Sequence, residues 1–198
     1  MIGVVDYGAG NLRSVTNALT AVGAAFRVCG GVDDLEEVTK VILPGVGHFS
    51  SAARHLNESG LMEALQVWGR AGRPLLGICL GLQLLFDTSA EGPGVAGLSL
   101  LPGCVVPLQA RRVPHMGWNQ VVNEQCCLGL PPGSKTFYYF AHGFVARPEN
   151  IDVVEGWVSV EETPIPAIVA RDRIWGVQFH PEKSGPAGLE LLARFVTC

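Results

Sequence analysis

A cysteine framed by two glycines is the residue of this sequence best suited to covalent chemistry. Residues 74–86 run from a short apolar stretch through Gly77, Cys79 and Gly81 into a helix-compatible segment. This pattern is typical of a buried strand that turns sharply into a helix, with a nucleophile at the corner. The glycines leave room where strand and helix approach closely, and a helix N-terminus favours a thiolate. We therefore predict that Cys79 is a nucleophile and not simply a small buried residue.

A cysteine nucleophile needs a base for its proton and a partner that orients the base. His180 directly follows an apolar, strand-like run at residues 174–179, and Glu182 lies two residues further on. In an extended segment such residues project to the same side, and Pro181 stiffens the geometry. We predict a Cys79–His180–Glu182 triad. The alternatives are a solvated turn and a zinc site, but a suitably spaced fourth ligand is missing, so no metal is expected.

Acyl transfer also requires donors that stabilise an oxyanion. The backbone N–H of Leu80, immediately after the nucleophile, is one predicted donor, and the loop at residues 44–47 supplies another through Val46. Because Val46 is β-branched and resists positive φ, a conformation that directs its N–H into the site would be strained. We hypothesise that the oxyanion hole is incomplete at rest and is completed by a partner or a ligand.

The elements that must position these residues alternate between strand and helix. Apolar strands are predicted at residues 2–5, 25–28, 40–43 and 174–179 and before Cys79, with helices at 12–22, 50–56, 61–68 and 186–196. This alternation indicates an α/β fold with a doubly wound, mostly parallel sheet and helices on both faces. Antiparallel additions to the sheet are predicted in the second half, at residues 103–108, 118–122, 136–140 and 156–160. Ligands of such folds bind beyond the carboxyl ends of the strands.

Length and composition restrict the class of protein. The 198 residues suit one domain over residues 1–198, and the net charge of −4 without a long basic run disfavours nucleic acid and membrane surfaces as partners. The six cysteines form no CxxC pairs, and the sequence shows no signal-peptide start and no membrane-spanning segment. We expect a reduced, cytoplasmic protein.

Residues 8–10 form a Gly-Ala-Gly turn, but without a third glycine they are weak evidence for nucleotide binding.

Several motifs together carry a family resemblance. Residues 77–83 and 179–182 resemble the signatures of class I, triad-type glutamine amidotransferases. Within that superfamily, residues 44–49, 114–119 and 180–184 resemble the glutaminase subunits of imidazole glycerol phosphate synthases. The similarity runs essentially end to end, starting with residues 6–12.

The resemblance implies a reaction and a substrate site. Cys79 would attack the side-chain amide of glutamine, His180 would shuttle the proton and Glu182 would orient the histidine, with no cofactor. By family analogy, the residues near the bound glutamine are Gly47, Gln83, Gly143 and Phe144. The family usually has Ser or Thr followed by Tyr where this chain has Gly143-Phe144, so contacts there would have to come from the backbone.

The resemblance also implies a partner, because the chain has no spare domain for an acceptor of ammonia. The family partner is a (β/α)₈-barrel cyclase subunit, HisF, which uses ammonia to make imidazole glycerol phosphate and aminoimidazole carboxamide ribotide in histidine biosynthesis. Interface positions are expected at Asn11, Ser14, Met116, Trp118, Tyr139 and Lys183. Alternatively, Met116 and Trp118 could belong to the core and Lys183 could be a solvated charge; exposed aromatic anchors favour the interface.

Three other functions are compatible with parts of this sequence. The chain could be the glutaminase subunit of another synthase, a stand-alone cysteine hydrolase of the same fold, or an inactive binding module. Gly45-Val46 and residues 114–119 argue against the first, and the intact triad argues against the third. Full activity without a partner would indicate the second.

Overall fold

A computed structural model describes residues 1–8, 11–125 and 128–198. The Gly-Ala-Gly turn at residues 8–10 therefore lies partly outside the described residues. The helices are α1 (Leu12–Ala21), α2 (Phe49–Glu58), α3 (Leu61–Arg70), α4 (Leu80–Leu84) and α5 (Gly185–Thr197). The strands are β1 (Ile2–Val5), β2 (Phe26–Cys29), β3 (Lys40–Leu43), β4 (Leu75–Ile78), β5 (Thr88–Ser89), β6 (Gly103–Pro107), β7 (His115–Asn123), β8 (Lys135–His142), β9 (Phe144–Pro148), β10 (Val154–Val160), β11 (Thr163–Arg171) and β12 (Ile174–Val177). No helix in these described ranges is long and apolar enough to cross a membrane.

Within the described residues, the main sheet has nine strands in the order β2-β1-β3-β4-β12-β11-β10-β7-β8. Strands β2, β1, β3, β4 and β12 pair in parallel. The remaining four strands continue the sheet in antiparallel pairing. The predicted α/β fold, with a parallel core and antiparallel additions in the second half, is confirmed.

Alternate side chains of the central strands are buried on opposite faces of the sheet. Leu43 of β3 belongs to the same buried cluster as Phe49 of α2. Its neighbour Ile42 belongs to a second cluster, together with Leu19 of α1 and Phe195 of α5. Because successive residues of a strand point to opposite faces, an uninterrupted apolar strand needs helices on both sides. This requirement brings α2 and α3 to one face and α1 and α5 to the other.

The second half differs from the prediction in two respects. The segment predicted at residues 103–108 forms β6, but it pairs with β5 and β9 in a separate three-stranded sheet and does not extend the main one. Strands β9 and β11 were not predicted. Pro164 and Pro166 weaken the strand signal of β11, since proline cannot donate to a ladder. Both prolines lie in the part of β11 for which β10 is the only paired strand among the described residues, since β12 pairs with residues 168–171.

Candidate active site

Cys79 occupies a strained corner between β4 and α4. Its φ of 53° and ψ of −102° are unfavourable for a residue with a side chain. Its N–H donates to the carbonyl oxygen of Val177 at 2.8 Å, which fixes the corner to β12. A Cβ on Gly77 would lie 2.6 Å from the carbonyl oxygen of Gly81, and one on Gly81 would overlap the carbonyl of Leu43. The two glycines therefore let α4 pack directly on the strands and hold the thiol at their carboxyl ends.

His180 and Glu182 follow β12 and are almost completely buried, with side-chain exposures of 2% and 1%. The imidazole Nδ1 lies 2.8 Å from Glu182 Oε1. The contact forms across a 3₁₀ turn at Pro181–Lys183, and the fully extended segment that we predicted is not present. The Nδ2 of Asn11 donates to the same Oε1 at 3.0 Å, so this residue, which we expected at an interface, also touches the predicted triad. Ser14, near it in α1, is half-buried.

The electrostatics of His180 favour its charged form. Burial alone lowers the pKa of His180, but hydrogen bonds to Cys79 and Glu182 outweigh burial and raise the pKa to about 9. The imidazole is therefore protonated near neutral pH and lies beside the sulfur of Cys79 as a cation. Among the residues that the structure describes, no group of three or more His, Cys, Asp or Glu side chains is placed to hold a metal ion.

The predicted oxyanion donors do not converge in this conformation. The N–H of Leu80 donates to the carbonyl oxygen of Gly45 at 3.4 Å. Because the Gly45–Val46 peptide is trans and planar, its N–H points away from its carbonyl oxygen and hence away from Leu80. Val46 keeps a negative φ, and the following Gly47 takes the positive value of 109°. A carbonyl thus stands where the second donor was expected.

Tyr7 anchors the loop at residues 44–47 by a hydrogen bond. Its hydroxyl donates to the carbonyl oxygen of Pro44 at 2.9 Å. Burial raises the pKa of Tyr7 far above its ordinary value, so the hydroxyl keeps its proton and remains a donor. A Cβ on Gly45 would lie 2.8 Å from the Tyr7 oxygen and 2.6 Å from Leu80 Cβ. Only glycine therefore fits between the tyrosine and the corner.

A cavity of about 190 Å³ opens beside the thiol. It brings together Cys79, both predicted oxyanion residues and all four residues predicted to contact glutamine. Its walls are Val46, Gly47, Cys79, Leu80, Gln83, Glu91, Pro114, Met116, Ala141, His142, Gly143 and Phe144. Glu91 was missed because nothing in its local sequence indicates proximity to the thiol. Its carboxylate accepts the N–H of Phe49 at 2.7 Å, at the start of α2.

A neutral histidine supports one wall of the cavity. Burial, together with the nearby His115 and His180, lowers the pKa of His142 to about 4. Its Nδ1 lies 2.9 Å from the carbonyl oxygen of Phe144, and its Nε2 lies 3.0 Å from Nδ1 of His115. Because a carbonyl only accepts, Nδ1 of His142 carries the proton and Nε2 accepts from His115. The pair thereby fixes the backbone at the position where the family resemblance would place a hydroxyl side chain.

An exposed apolar face adjoins the cavity on β7 and β8. Met116 and Trp118 are 64% and 57% exposed, so the alternative that they belong to the core is wrong. Phe137, which we did not predict, is 55% exposed on the neighbouring strand. The ring of Trp118 meets Tyr139 edge-on at 6.2 Å, and Lys183 Nζ lies 5.9 Å from the Tyr139 ring centroid. Because Met116 also lines the cavity, the face and the cavity are continuous.

A thiol at a strand–helix corner, beside a buried imidazole–carboxylate pair in an α/β fold, is the arrangement of triad-type enzymes with a cysteine nucleophile. The profile of the family described as "Glutamine amidotransferase class-I" matches residues 3–198. The imidazole glycerol phosphate synthase subunit HisH of Desulfitobacterium hafniense is 45% identical over 199 residues, which are 98% of this chain and 93% of the relative. The HisH subunit of Synechococcus elongatus is 45% identical over 201 residues, 99% and 92% of the two chains.

Solved structures show the same fold. A crystal structure of a glutamine amidotransferase superposes with a TM-score of 0.80 at 20% identity and covers 100% of this chain and 99% of that one. PurLQS from Thermotoga maritima gives a TM-score of 0.79 at 21% identity, with 99% and 97% covered. The chain belongs to the class-I glutamine amidotransferase family and, within it, to the HisH subunits of imidazole glycerol phosphate synthase.

Proposed function

We propose that this glutaminase subunit hydrolyses glutamine to glutamate and ammonia on Cys79, within a single domain, and passes the ammonia to a cyclase subunit. The observation that carries the proposal is the joint position of the strained Cys79 and the buried His180–Glu182 pair, whose Nδ1–Oε1 distance is 2.8 Å. Membership of the HisH family supports the place of this reaction in histidine biosynthesis. The free thiols of Cys29, Cys79, Cys104 and Cys198 suit a reducing compartment, the cytoplasm.

The proposed reaction uses the protonated His180 beside Cys79 as its proton donor. The Cys79 thiolate attacks the side-chain carbonyl carbon of glutamine, and the imidazolium of His180 gives its proton to the departing ammonia. A glutamyl thioester remains on the sulfur. His180, now neutral, takes a proton from water as the water attacks the thioester, and glutamate leaves as the sulfur is freed. Glu182 stabilises the imidazolium and keeps Nδ1 as its donor to the carboxylate.

The oxyanion of each tetrahedral intermediate needs two donors, Leu80 N–H and Val46 N–H. In the conformation described above, the carbonyl of Gly45 engages Leu80 and the Val46 N–H faces away. We propose that this is a resting state, and that rotation of the Gly45–Val46 peptide accompanies binding of the partner's substrate. Glutaminase activity then depends on the presence of an ammonia acceptor.

The cavity offers complementary groups to the rest of glutamine. Gly47, Gln83 and the backbone at Gly143 and Phe144 line the walls on which the substrate would rest. Glu91 is a carboxylate in the same cavity and fits the α-ammonium group of the substrate. A neutral His142 avoids adding a second cation there.

The exposed face of β7 and β8 is the proposed docking surface for the (β/α)₈-barrel cyclase, HisF, in a heterodimer. Met116, Trp118 and Phe137 supply apolar area, and Tyr139 with Lys183 supplies an amphipathic border. Asn11 and Ser14 are proposed contacts at its margin. No nucleic acid or membrane is proposed as a partner. The face adjoins the cavity, so ammonia released at Cys79 has a short route to a partner docked there.

The experiment is glutamate release by the isolated chain, by the chain with the cyclase, and by the complex with the cyclase's ribonucleotide ligand. We expect strong stimulation only in the ligand-loaded complex and no hydrolysis by Cys79→Ala in any state. A flat response across the three states would contradict coupling and favour a stand-alone hydrolase. Hydrolysis retained by Cys79→Ala would contradict the assignment of the nucleophile.

A further inference from the structure

We propose that Gln178 is a further catalytic residue, whose side-chain amide donates a hydrogen bond to the sulfur of Cys79. Gln178 follows β12 two residues before His180 and is completely buried, with 0% exposure. Its Nε2 lies 3.7 Å from Cys79 Sγ. This inference rests on the proposed function, since it assigns a second donor to the sulfur that we take as the nucleophile.

The orientation of the Gln178 amide follows from an acceptor at the far end of a chain of amides. The carbonyl oxygen of Phe144 can only accept, so Gln83 must present its NH₂ group to it, at 3.2 Å. The second hydrogen of that NH₂ group is directed to Gln178 Oε1, at 3.4 Å. With its oxygen turned to Gln83, Gln178 presents its own NH₂ group to the sulfur. A single acceptor therefore orients two amides and aims a donor at Cys79.

The surroundings of the sulfur show why a second donor matters. Besides His180 and Gln178, the carbonyl oxygen of Ala141 lies near Cys79 Sγ, at 3.9 Å. This oxygen accepts a hydrogen bond from a thiol but repels a thiolate. Imidazolium on one side and the Gln178 N–H on another oppose that repulsion. A hydrogen bond to an ionised acceptor is stronger than a neutral one, and burial keeps water from competing for it. The Gln178 amide thus favours the reactive form of Cys79 and holds the sulfur in place.

The test uses Gln178→Met in the full chain, which removes the amide at similar volume. The pH dependence of iodoacetamide alkylation is followed at Cys79 by mass spectrometry of the modified peptides. We expect the midpoint of that curve to move up by roughly one pH unit. In the complex with the cyclase, we expect kcat for glutamine hydrolysis to fall about tenfold. Asn123→Leu is the matched control, because Asn123 is 1% exposed, donates to Ser134 Oγ and lies outside the cavity.

A folded Gln178→Met chain whose alkylation midpoint matches the wild type overturns the inference. If that variant does not fold, Gln178→Asn replaces it: the shorter side chain keeps a buried amide but withdraws it from the sulfur, and the same upward movement is expected. Alkylation needs neither glutamine nor a partner. A wild-type complex that fails to hydrolyse glutamine therefore counts against the proposed function, whereas an unmoved midpoint counts against the role of Gln178 alone.

Discussion

The N–H of Leu80 donates to the carbonyl oxygen of Gly45 across 3.4 Å, so the donor that should serve an oxyanion is engaged within the chain. This distance exceeds the 2.9–3.0 Å typical of an N–H···O bond, and the contact is correspondingly easy to exchange. Exchange requires rotation of the Gly45–Val46 peptide, mostly through ψ of Gly45 and φ of Val46. Glycine allows that rotation freely, whereas the Cβ of valine makes the positive φ range unfavourable. Val46 therefore sets the energetic cost of completing the oxyanion hole.

Val46→Gly is expected to raise glutamine hydrolysis by the isolated chain. Removing the side chain takes away a penalty of roughly 1–2 kcal/mol for left-handed backbone, which corresponds to about a tenfold gain in rate. The stimulation by the ligand-loaded cyclase should shrink by a similar factor. Glutamate release without and with the partner measures both effects.

Val46→Ala is the matched control, because alanine removes the branching but keeps the Cβ that disfavours positive φ. Its basal rate should stay close to that of the wild type. Equal gains from alanine and glycine would show that side-chain bulk, and not backbone conformation, limits the resting state. An unchanged basal rate in Val46→Gly would contradict the peptide-rotation hypothesis.

Asn11→Ala tests the contact between Asn11 and Glu182. The lost hydrogen bond goes to a buried carboxylate whose other oxygen, Oε2, has no partner among the described residues. Orientation of His180 should suffer, so kcat is expected to fall about tenfold while KM for glutamine changes little. Steady-state kinetics at saturating cyclase separate this effect from weaker docking. Asn17→Ala, an exposed substitution on the helix α1 that follows Asn11, should leave kcat unchanged. If Asn11→Ala loses only affinity for the cyclase, the role of Asn11 is limited to the interface.

His142 makes stability depend on pH on the acid side of neutrality. Its pKa of about 4 in the folded chain lies below the ordinary value of 6.5, so between these values the unfolded chain binds a proton that the folded chain does not. The free energy of unfolding should therefore rise with pH from about 4 to 6.5 and level off above, with a contribution of up to about 1.4 kcal/mol per pH unit. Urea unfolding at several pH values should show a shallower rise for His142→Gln. His55→Gln, on the exposed side of α2, is the control and should keep the wild-type slope of unfolding free energy against pH. If His142→Gln also keeps that slope, the result contradicts burial of a neutral His142.

The proximity of Cys79, His180 and Glu182 could be predicted because each of these residues carries a local signal. Glycines flank Cys79, and His180 ends an apolar strand two residues before Glu182. The amide contacts could not be predicted, since they join residues that are remote in the sequence: Asn11 and Glu182 are 171 residues apart, and Cys79 and Gln178 are 99 apart. A glutamine in an apolar strand shows no pattern that reveals what its amide faces.

The parallel half of the sheet was predictable for a related reason. Its strands are continuous apolar runs, which only a sheet covered on both faces can bury. Strand β6 is a short run between turns, and its sequence does not reveal which strands it pairs with. Its assignment to the main sheet was therefore wrong. Met116 and Trp118 lie on an exposed face, although methionine and tryptophan are also common in a buried core. Only the fold shows which of these two environments the residues occupy.

Gly81→Ala tests how far the close packing of the corner supports the whole structure. A Cβ at residue 81 would overlap the backbone carbonyl of Leu43, which cannot move without displacing β3. The free energy of unfolding should therefore fall by more than about 3 kcal/mol, beyond the usual cost of overpacking. Urea unfolding measures the loss, with Gly30→Ala as the control, because a Cβ there meets nothing within 4 Å. Any folded Gly81→Ala chain should also lose glutaminase activity, since α4 carries the Leu80 N–H away from the sulfur. Wild-type stability in this variant would mean that β3 and α4 can move apart at no cost in free energy. Their contact would then not be what maintains the strained backbone at Cys79.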